Sequence, residues 1–119
     1  MPAGKLDLLI EQGATFKHAL LVEDNSGSAL DLTGFTARMQ LRPEIESADV
    51  LLELTTENGR ITIAPLTGRL DLEVEADDTG ALTFETAVYD LELIDPAGDV
   101  LRLLQGRVRL SPEVTREAP

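Results

Sequence analysis

Apolar and polar residues alternate along most of this chain, which is the spacing of a β-strand with one buried face. The clearest example is residues 35–42, whose apolar positions are Phe35, Ala37, Met39 and Leu41. The positions between them are polar or charged, so we expect a strand with one face in the core and one face in water. Pro43 ends this strand, because proline has no backbone N–H to donate.

The same pattern predicts about eight short strands in all. The remaining ones are expected at residues 5–10, 16–23, 50–55, 61–63, 69–75, 87–94 and 100–110. Turn residues separate them about every 8–12 residues, which favours an all-β sandwich or barrel over a βαβ arrangement. Residues 75–82 interrupt the alternation, and there Asp77, Asp78 or Thr79 could cap a single helical turn that Gly80 keeps short.

Three places in this series predict particular backbone features. Asn58-Gly59 predicts a hairpin-type turn, since both residue types adopt positive φ at little cost. Gly106, inside the last strand, predicts a bulge or a close approach of another backbone segment. Tyr89 lies at the start of a late strand and fits either of two roles. It is the corner tyrosine of an immunoglobulin-like sandwich, bonded to backbone, or a core tyrosine with its hydroxyl at the edge.

The chain has 119 residues, which is the size of one domain. We expect a single sandwich over residues 1–111 and a C-terminal tail over residues 112–119. Only four residues are aromatic (Phe16, Phe35, Phe84 and Tyr89), so the core must consist mainly of Leu, Val and Ile. Cysteine is absent from the sequence, which excludes disulfides and thiolate metal sites. We also expect no signal peptide and no membrane span, because neither a leader-like apolar core nor an 18-residue apolar run is present.

The formal net charge is −12 and the sequence pI is about 4.3. Such a surface repels phosphate, so neither nucleic acid nor an anionic membrane is an expected partner. The charge is uneven: residues 1–99 hold 6 basic and 20 acidic side chains, whereas residues 100–119 hold 4 and 2. The basic end either favours head-to-tail assembly or covers acidic surface of its own domain, where exposed ion pairs contribute little.

No catalytic constellation is visible in the sequence. His18 is the only histidine, without a recognisable nucleophile or second metal ligand, so we interpret it as a half-buried sheet histidine. Alternate acidic residues in and after one strand could hold Ca²⁺ or form an ordinary solvated face. They are Asp71, Glu73, Glu75, Asp77 and Asp78. Glycine-rich phosphate loops are absent as well, and we therefore predict no catalytic residue, cofactor or metal ligand.

Four segments carry a resemblance to a known group of proteins. They are residues 11–16 (EQGATF), 31–39 (DLTGFTARM), 55–61 (TTENGRI) and 89–93 (YDLEL). Together they resemble small virion-associated proteins of tailed bacteriophages and are similar to the N-terminal domain of phage baseplate upper proteins. The resemblance implies an immunoglobulin-like antiparallel β-sandwich and a structural role in a virion, and it brings no catalytic residue with it.

The resulting hypothesis is a non-enzymatic phage structural protein, located in the virion, that docks on other virion proteins at the tail, baseplate or capsid surface. We expect a homo-oligomer or symmetric array. The alternatives are a capsid decoration (cement) protein and a carbohydrate- or host-surface-binding module, and the scarcity of aromatic residues disfavours the second. A hydrolase would need a nucleophile–base pair, which is not evident. Exposed strand edges and arginines favour association, which makes them the candidate contacts. The candidate interface arginines are Arg38, Arg42, Arg102, Arg107 and Arg109.

Overall fold

The computed structural model describes residues 3–116, and about half of the chain is in β-strands. Nine strands form two sheets. They are β1 (Gly4–Lys5), β2 (Leu8–Glu11), β3 (Phe16–Leu21), β4 (Thr36–Arg42), β5 (Leu52–Thr55), β6 (Ile61–Ala64), β7 (Arg69–Val74), β8 (Thr86–Ile94) and β9 (Val100–Ser111). One 3₁₀ turn (Pro65–Thr67) and one short helix, α1 (Ala76–Gly80), complete the elements of this part of the chain.

The two sheets pack face to face, which confirms the predicted all-β sandwich. The larger sheet has the strand order β1-β9-β8-β4-β5, with β2 also paired to β9, and the smaller one has the order β3-β7-β6. In immunoglobulin variable-type domains, strands G-F-C-C′ likewise face strands B, E and D. The predicted strands are all present, and the first is divided into β1 and β2.

The antiparallel prediction is wrong at one edge, because β1 and β2 both run parallel to β9. A tight hairpin forces its two strands to be antiparallel, but no hairpin joins these strands. The chain leaves β2 for the opposite sheet and reaches β9 only at its end. Direction at this edge is therefore set by packing between distant segments.

Tyr89 is the buried aromatic residue of the core, with 5% of its surface exposed. Its hydroxyl donates a hydrogen bond to the carbonyl of Leu6, in the break between β1 and β2. This is a core tyrosine with its hydroxyl at the sheet edge, and not a corner tyrosine bonded to backbone a few residues upstream. The close approach predicted at Gly106 is confirmed, because a Cβ there would collide with the same Leu6 carbonyl oxygen.

The rest of the core is aliphatic, as predicted. Alternate positions of the strands supply most of it, and its largest fully buried aliphatic side chains are Ile10, Leu32, Leu41, Leu54, Ile61, Leu70, Val74, Leu91, Leu93 and Val108. Burial of a Leu, Ile or Val side chain stabilises a fold by about 1.5–3 kcal/mol. These side chains therefore provide the main stabilisation of the sandwich.

The helical turn is present, but the predicted cap is wrong. α1 follows Glu75, whose side chain makes no capping hydrogen bond. The Thr79 hydroxyl is fully buried and instead lies 2.8 Å from the carbonyl oxygen of Ala14, and the N–H of Gly13 donates to it at 3.1 Å. Thr79 thus attaches α1 to the turn between β2 and β3.

The hairpin predicted at Asn58-Gly59 is also wrong. This turn carries the chain from β5 in the larger sheet to β6 in the smaller one, and only Gly59 has positive φ, at 80°. The Asn58 side chain accepts the N–H groups of Thr55 and Arg60, each at 3.0 Å. Side-chain hydrogen bonds therefore replace those of a two-residue hairpin.

The segment 31–34 is a turn that stabilises itself. Asp31 accepts the backbone N–H and the hydroxyl of Thr33, at 2.9 and 2.6 Å, and these bonds, the hydroxyl's first, lower the pKa of Asp31. Gly34 has a φ of 81° and lies against Pro96 of the β8–β9 turn. This segment therefore forms a turn that packs against the β8–β9 turn at one end of the sandwich.

The last strand ends at Ser111. The N–H of Glu113 donates to the side chain of Gln12, so the beginning of the predicted tail contacts the domain. The end of that tail, residues 117–119, and the first two residues of the predicted sandwich lie outside the described residues.

Candidate docking face on the large sheet

The structure brings all five predicted interface arginines to the outer face of the larger sheet, which we call the arginine face. They are Arg38, Arg42, Arg102, Arg107 and Arg109. The alternation that buries every second residue of β4 and β8 points the remaining positions away from the core. The predicted arginines lie on two strands, β4 and β9. Both strands pair with β8, so their outward side chains share one face.

Register places these arginines in rows that run across the strands. Arg42 and Arg107 pair on opposite sides of Val88, while Arg38 and Arg102 pair on opposite sides of Glu92. Arg109 lies in a further row, where it pairs with Thr86 of β8 on one side and with Leu9 of β2 on the other. The face is therefore continuous over β2, β9, β8 and β4.

Two of these arginines have acidic partners on the face itself. Arg38 Nε lies 2.7 Å from Glu92 Oε1, and Arg102 Nε lies 3.4 Å from Asp90 Oδ2. Both arginine side chains are about half exposed. Exposed pairs of this kind contribute about 0–1 kcal/mol to stability, so their main effect is to neutralise local charge.

The row around Val88 keeps its positive charge. Arg42 donates to neutral acceptors, the carbonyl of Ser47 at 2.8 Å and the side chain of Gln40 at 2.7 Å. The guanidinium of Arg107 makes no hydrogen bond or ion pair within residues 3–116. Two guanidinium groups thus flank one valine without a carboxylate partner within residues 3–116, and the Asp7 carboxylate in this row accepts the backbone N–H of Arg107 at 2.9 Å.

Basic residues are concentrated on this face. The rows hold six of the ten Lys and Arg residues: Lys5, Arg38, Arg42, Arg102, Arg107 and Arg109. They hold four of the 22 acidic residues, Glu11, Glu53, Asp90 and Glu92. Asp7 lies on the same face, where its carboxylate accepts the backbone N–H of Arg107. On a chain of net charge −12, the arginine face therefore has a small excess of basic residues, whereas the molecule as a whole is strongly acidic.

A shallow cleft of about 660 Å³ lies on the arginine face, and we call it the central cleft. Its basic wall is formed by Lys5, Arg42, Arg102 and Arg107. Asp7 and Asp90 supply negative charge, and Val88 and Ile45 supply apolar surface. Ile45 is 82% exposed on the loop between β4 and β5, which leaves a large apolar side chain open to solvent at the rim.

The strand that carries three of the predicted arginines is not an edge strand. β9 lies inside the larger sheet, between β8 and the strands β1 and β2. The start of the chain pairs with β9 at Leu104, Gln105 and residues 108–111, so most of this strand is paired on both sides. Contact through that part of β9 is therefore made by its outward side chains.

The other sequence candidates do not form a reactive site. His18 is half-buried in β3, as expected, at the position paired with Leu72. The acidic residues of β7 and α1 are divided among different cations. The pairs are Asp71 with Arg69, Glu73 with Lys17, and Asp78 with Arg60. Over residues 3–116, no three His, Asp or Glu side chains are grouped to hold a metal ion.

Among the cleft residues that sequence reasoning missed are Lys5, Ile45 and Val88. A signal was present for Val88, because it is an apolar residue at an outward position of β8, where the alternation calls for a polar one. Lys5 joins the face only through the parallel pairing of β1 with β9, opposite Gln105. That pairing joins residues about one hundred positions apart and leaves no local pattern.

Comparison with known proteins adds no relative to this picture. No protein-family model matches the chain, and no curated protein sequence matches it significantly. Within the described residues, no helix has the length and apolar character needed to cross a membrane.

Proposed function

We propose that this protein is a non-enzymatic structural protein of a tailed-bacteriophage virion, and that it docks on other virion proteins through the arginine face. The fold supports this proposal by presenting a broad, outward sheet face on a well-packed sandwich. The resemblance of residues 31–39 and the other three segments to virion-associated proteins supplies the biological setting.

The observation that carries the proposal is the separation of charge. Six of the ten basic residues share one sheet face, whereas the same face holds only five of the 22 acidic residues. Complementary charge increases the rate of encounter and orients two proteins before contact. Arginine is also enriched in protein interfaces, because its planar group combines hydrogen bonding with apolar packing.

The test is immunogold electron microscopy of purified phage particles with an antibody against this protein. Label at the tail tip supports docking at the baseplate, and label over the head supports capsid decoration. Particles without label, with the protein left in the soluble fraction, contradict the virion role.

A matched pair of variants tests whether the arginine face is the contact. Arg42→Glu with Arg107→Glu should remove the label from particles. Lys17→Glu with Arg69→Glu changes the net charge equally on the outer face of the smaller sheet and should leave the label in place. Equal labelling of both variants would exclude the arginine face as the docking surface.

A further inference from the structure

The central cleft differs from the rest of the arginine face in its charge balance and its apolar floor. We propose, on the basis of the docking function above, that the cleft binds an acidic segment of a partner protein. A carboxylate of that segment is held between Arg42 and Arg107, over Val88.

The geometry of the row fits one or two carboxylates. One strand separates Arg42 from Arg107, and neighbouring strands lie about 4.8 Å apart, so their Cα atoms are roughly 10 Å apart. Long arginine side chains span this distance from both sides. Each can form a bidentate pair with a carboxylate, which is the geometry that the guanidinium group favours.

Within residues 3–116, the guanidinium groups of Arg42 and Arg107 have no carboxylate partner, although Asp7 accepts the backbone N–H of Arg107 at 2.9 Å. Arg38 and Arg102 already have Glu92 and Asp90 as acidic partners, whereas Arg42 donates only to neutral groups. A carboxylate of the partner would give Arg42 and Arg107 the negative charge that Glu92 and Asp90 give to Arg38 and Arg102.

Acidic groups at the border of the cleft limit what can bind. Asp7 and Asp90 line the cleft, and Glu44 and Glu46 line the adjoining depression beside Ile45. A continuous polyanion such as nucleic acid would meet these carboxylates at every position. A polypeptide segment with one or two acidic residues can place them at the arginines and present neutral residues to the rim.

The apolar part of the cleft defines the neighbour of that carboxylate. Val88 is half-buried between the two arginines, and Ile45 is almost fully exposed on the same side. An apolar side chain of the partner would bury both. The cleft, at about 660 Å³, has the size of sites that hold a few side chains. We therefore infer an extended segment with alternating acidic and apolar residues.

The experiment measures anisotropy of a fluorescein-labelled peptide in which three glutamates alternate with leucines. Wild-type protein should bind it saturably at an ionic strength of about 0.02 M and more weakly at about 0.15 M, because salt screens these charges. A peptide with glutamine in place of glutamate should bind at least about tenfold more weakly. Circular dichroism confirms that each variant is folded.

The variants assign the binding to the row. Arg42→Glu with Arg107→Glu, and the milder Arg42→Gln with Arg107→Gln, should each weaken binding about tenfold or more. Lys17→Glu with Arg69→Glu should bind as wild type does. Equal affinity for the two peptides, or an equal loss in the control variant, would overturn the proposal.

Three further outcomes separate this inference from the proposed function. If particles are labelled through Arg42 and Arg107 but the acidic peptide does not bind, the docking function stands and the acidic-segment inference is wrong. Self-association of the wild-type protein in sedimentation, abolished by Arg42→Glu with Arg107→Glu, would assign the face to a second copy and also overturn it. Peptide binding with unlabelled particles would support the inference and contradict the virion role.

Discussion

Removing the proton from the Tyr89 hydroxyl is expected to destabilise the fold, because the resulting phenolate would be almost completely buried and would lose most of its hydration. The side chain is 5% exposed, and its hydroxyl donates to the Leu6 carbonyl. Burial raises the pKa of Tyr89 to about 12, and the negative charge of Asp7 adds to the rise. The unfolded chain has the ordinary tyrosine pKa of about 10.

The sign and size of the effect follow from this difference. Because folding raises the pKa, the contribution of neutral Tyr89 to stability is fully present below about pH 10 and is lost as the pH rises toward 12. Each pKa unit corresponds to about 1.4 kcal/mol, so two units remove about 2.7 kcal/mol. Typical unfolding free energies are about 5–15 kcal/mol, which makes this loss large enough to measure.

The assay is urea unfolding of the wild-type protein and of Tyr89→Phe over a series of pH values. At pH 8 the variant lacks one hydrogen bond and should be about 1 kcal/mol less stable. It also lacks the titrating group, so the wild-type advantage should shrink above pH 10 and the two curves should cross near about pH 11. Groups that titrate in both proteins cancel in this comparison.

A direct titration checks the same reasoning. Tyr89 is the only tyrosine and the chain has no tryptophan, so the phenolate absorbance reports this residue alone. The native protein should show a midpoint near 12. A midpoint near 10 in folded protein, or a stability difference that stays constant from pH 9 to about 12, would refute the argument.

Gly106→Ala should lower the unfolding free energy by about 2 kcal/mol or more in urea, because its Cβ would meet the Leu6 carbonyl; unchanged stability would contradict the close approach. Thr79→Val should cost about 1–3 kcal/mol in the same assay, since it leaves backbone groups of the β2–β3 turn without their partner. Hydrogen bonds from side chains and backbone lower the pKa values of Asp24 and Asp31, so the stability that they add is present above the ordinary value of 3.8 and is lost as the pH falls below it. The variant that combines Asp24→Asn with Asp31→Asn lacks both carboxylates, so in urea unfolding it should lose less stability on acidification than the wild-type protein does. An identical pH dependence of the two proteins would exclude this contribution.

Much of the fold is readable from the sequence because its strands alternate so regularly. In β4, β7 and β8 every second residue is buried, and a period of two predicts both the strand and its inner face. The errors lie where a distant segment decides the local structure. Thr79 serves the β2–β3 turn, and β1 and β2 take their direction from β9. No local pattern carries those contacts.

The sequence was enough to select the arginines of the candidate site, but it did not show how they are arranged around one another. Arg42 and Arg107 were singled out for their residue type, and only the register of β4, β8 and β9 places them on the two sides of Val88. Ile45 is an apolar residue in an acidic loop, and its place at the cleft depends on the path of that loop. Chemistry that needs several strands at once becomes visible only when their pairing is known.

The covered edge of β9 also determines how this protein can bind a partner. An exposed strand edge would recruit another strand through backbone hydrogen bonds, which carry little sequence specificity. Here β1 and β2 occupy that edge, and the break between them, fixed by the Tyr89 hydroxyl and by the space at Gly106, brings Lys5 and Asp7 to the central cleft. The same segment thus closes the sheet and builds one wall of the cleft. At this edge the protein therefore offers a partner side-chain charge and shape, and this is the kind of contact that the proposed docking through the arginine face requires.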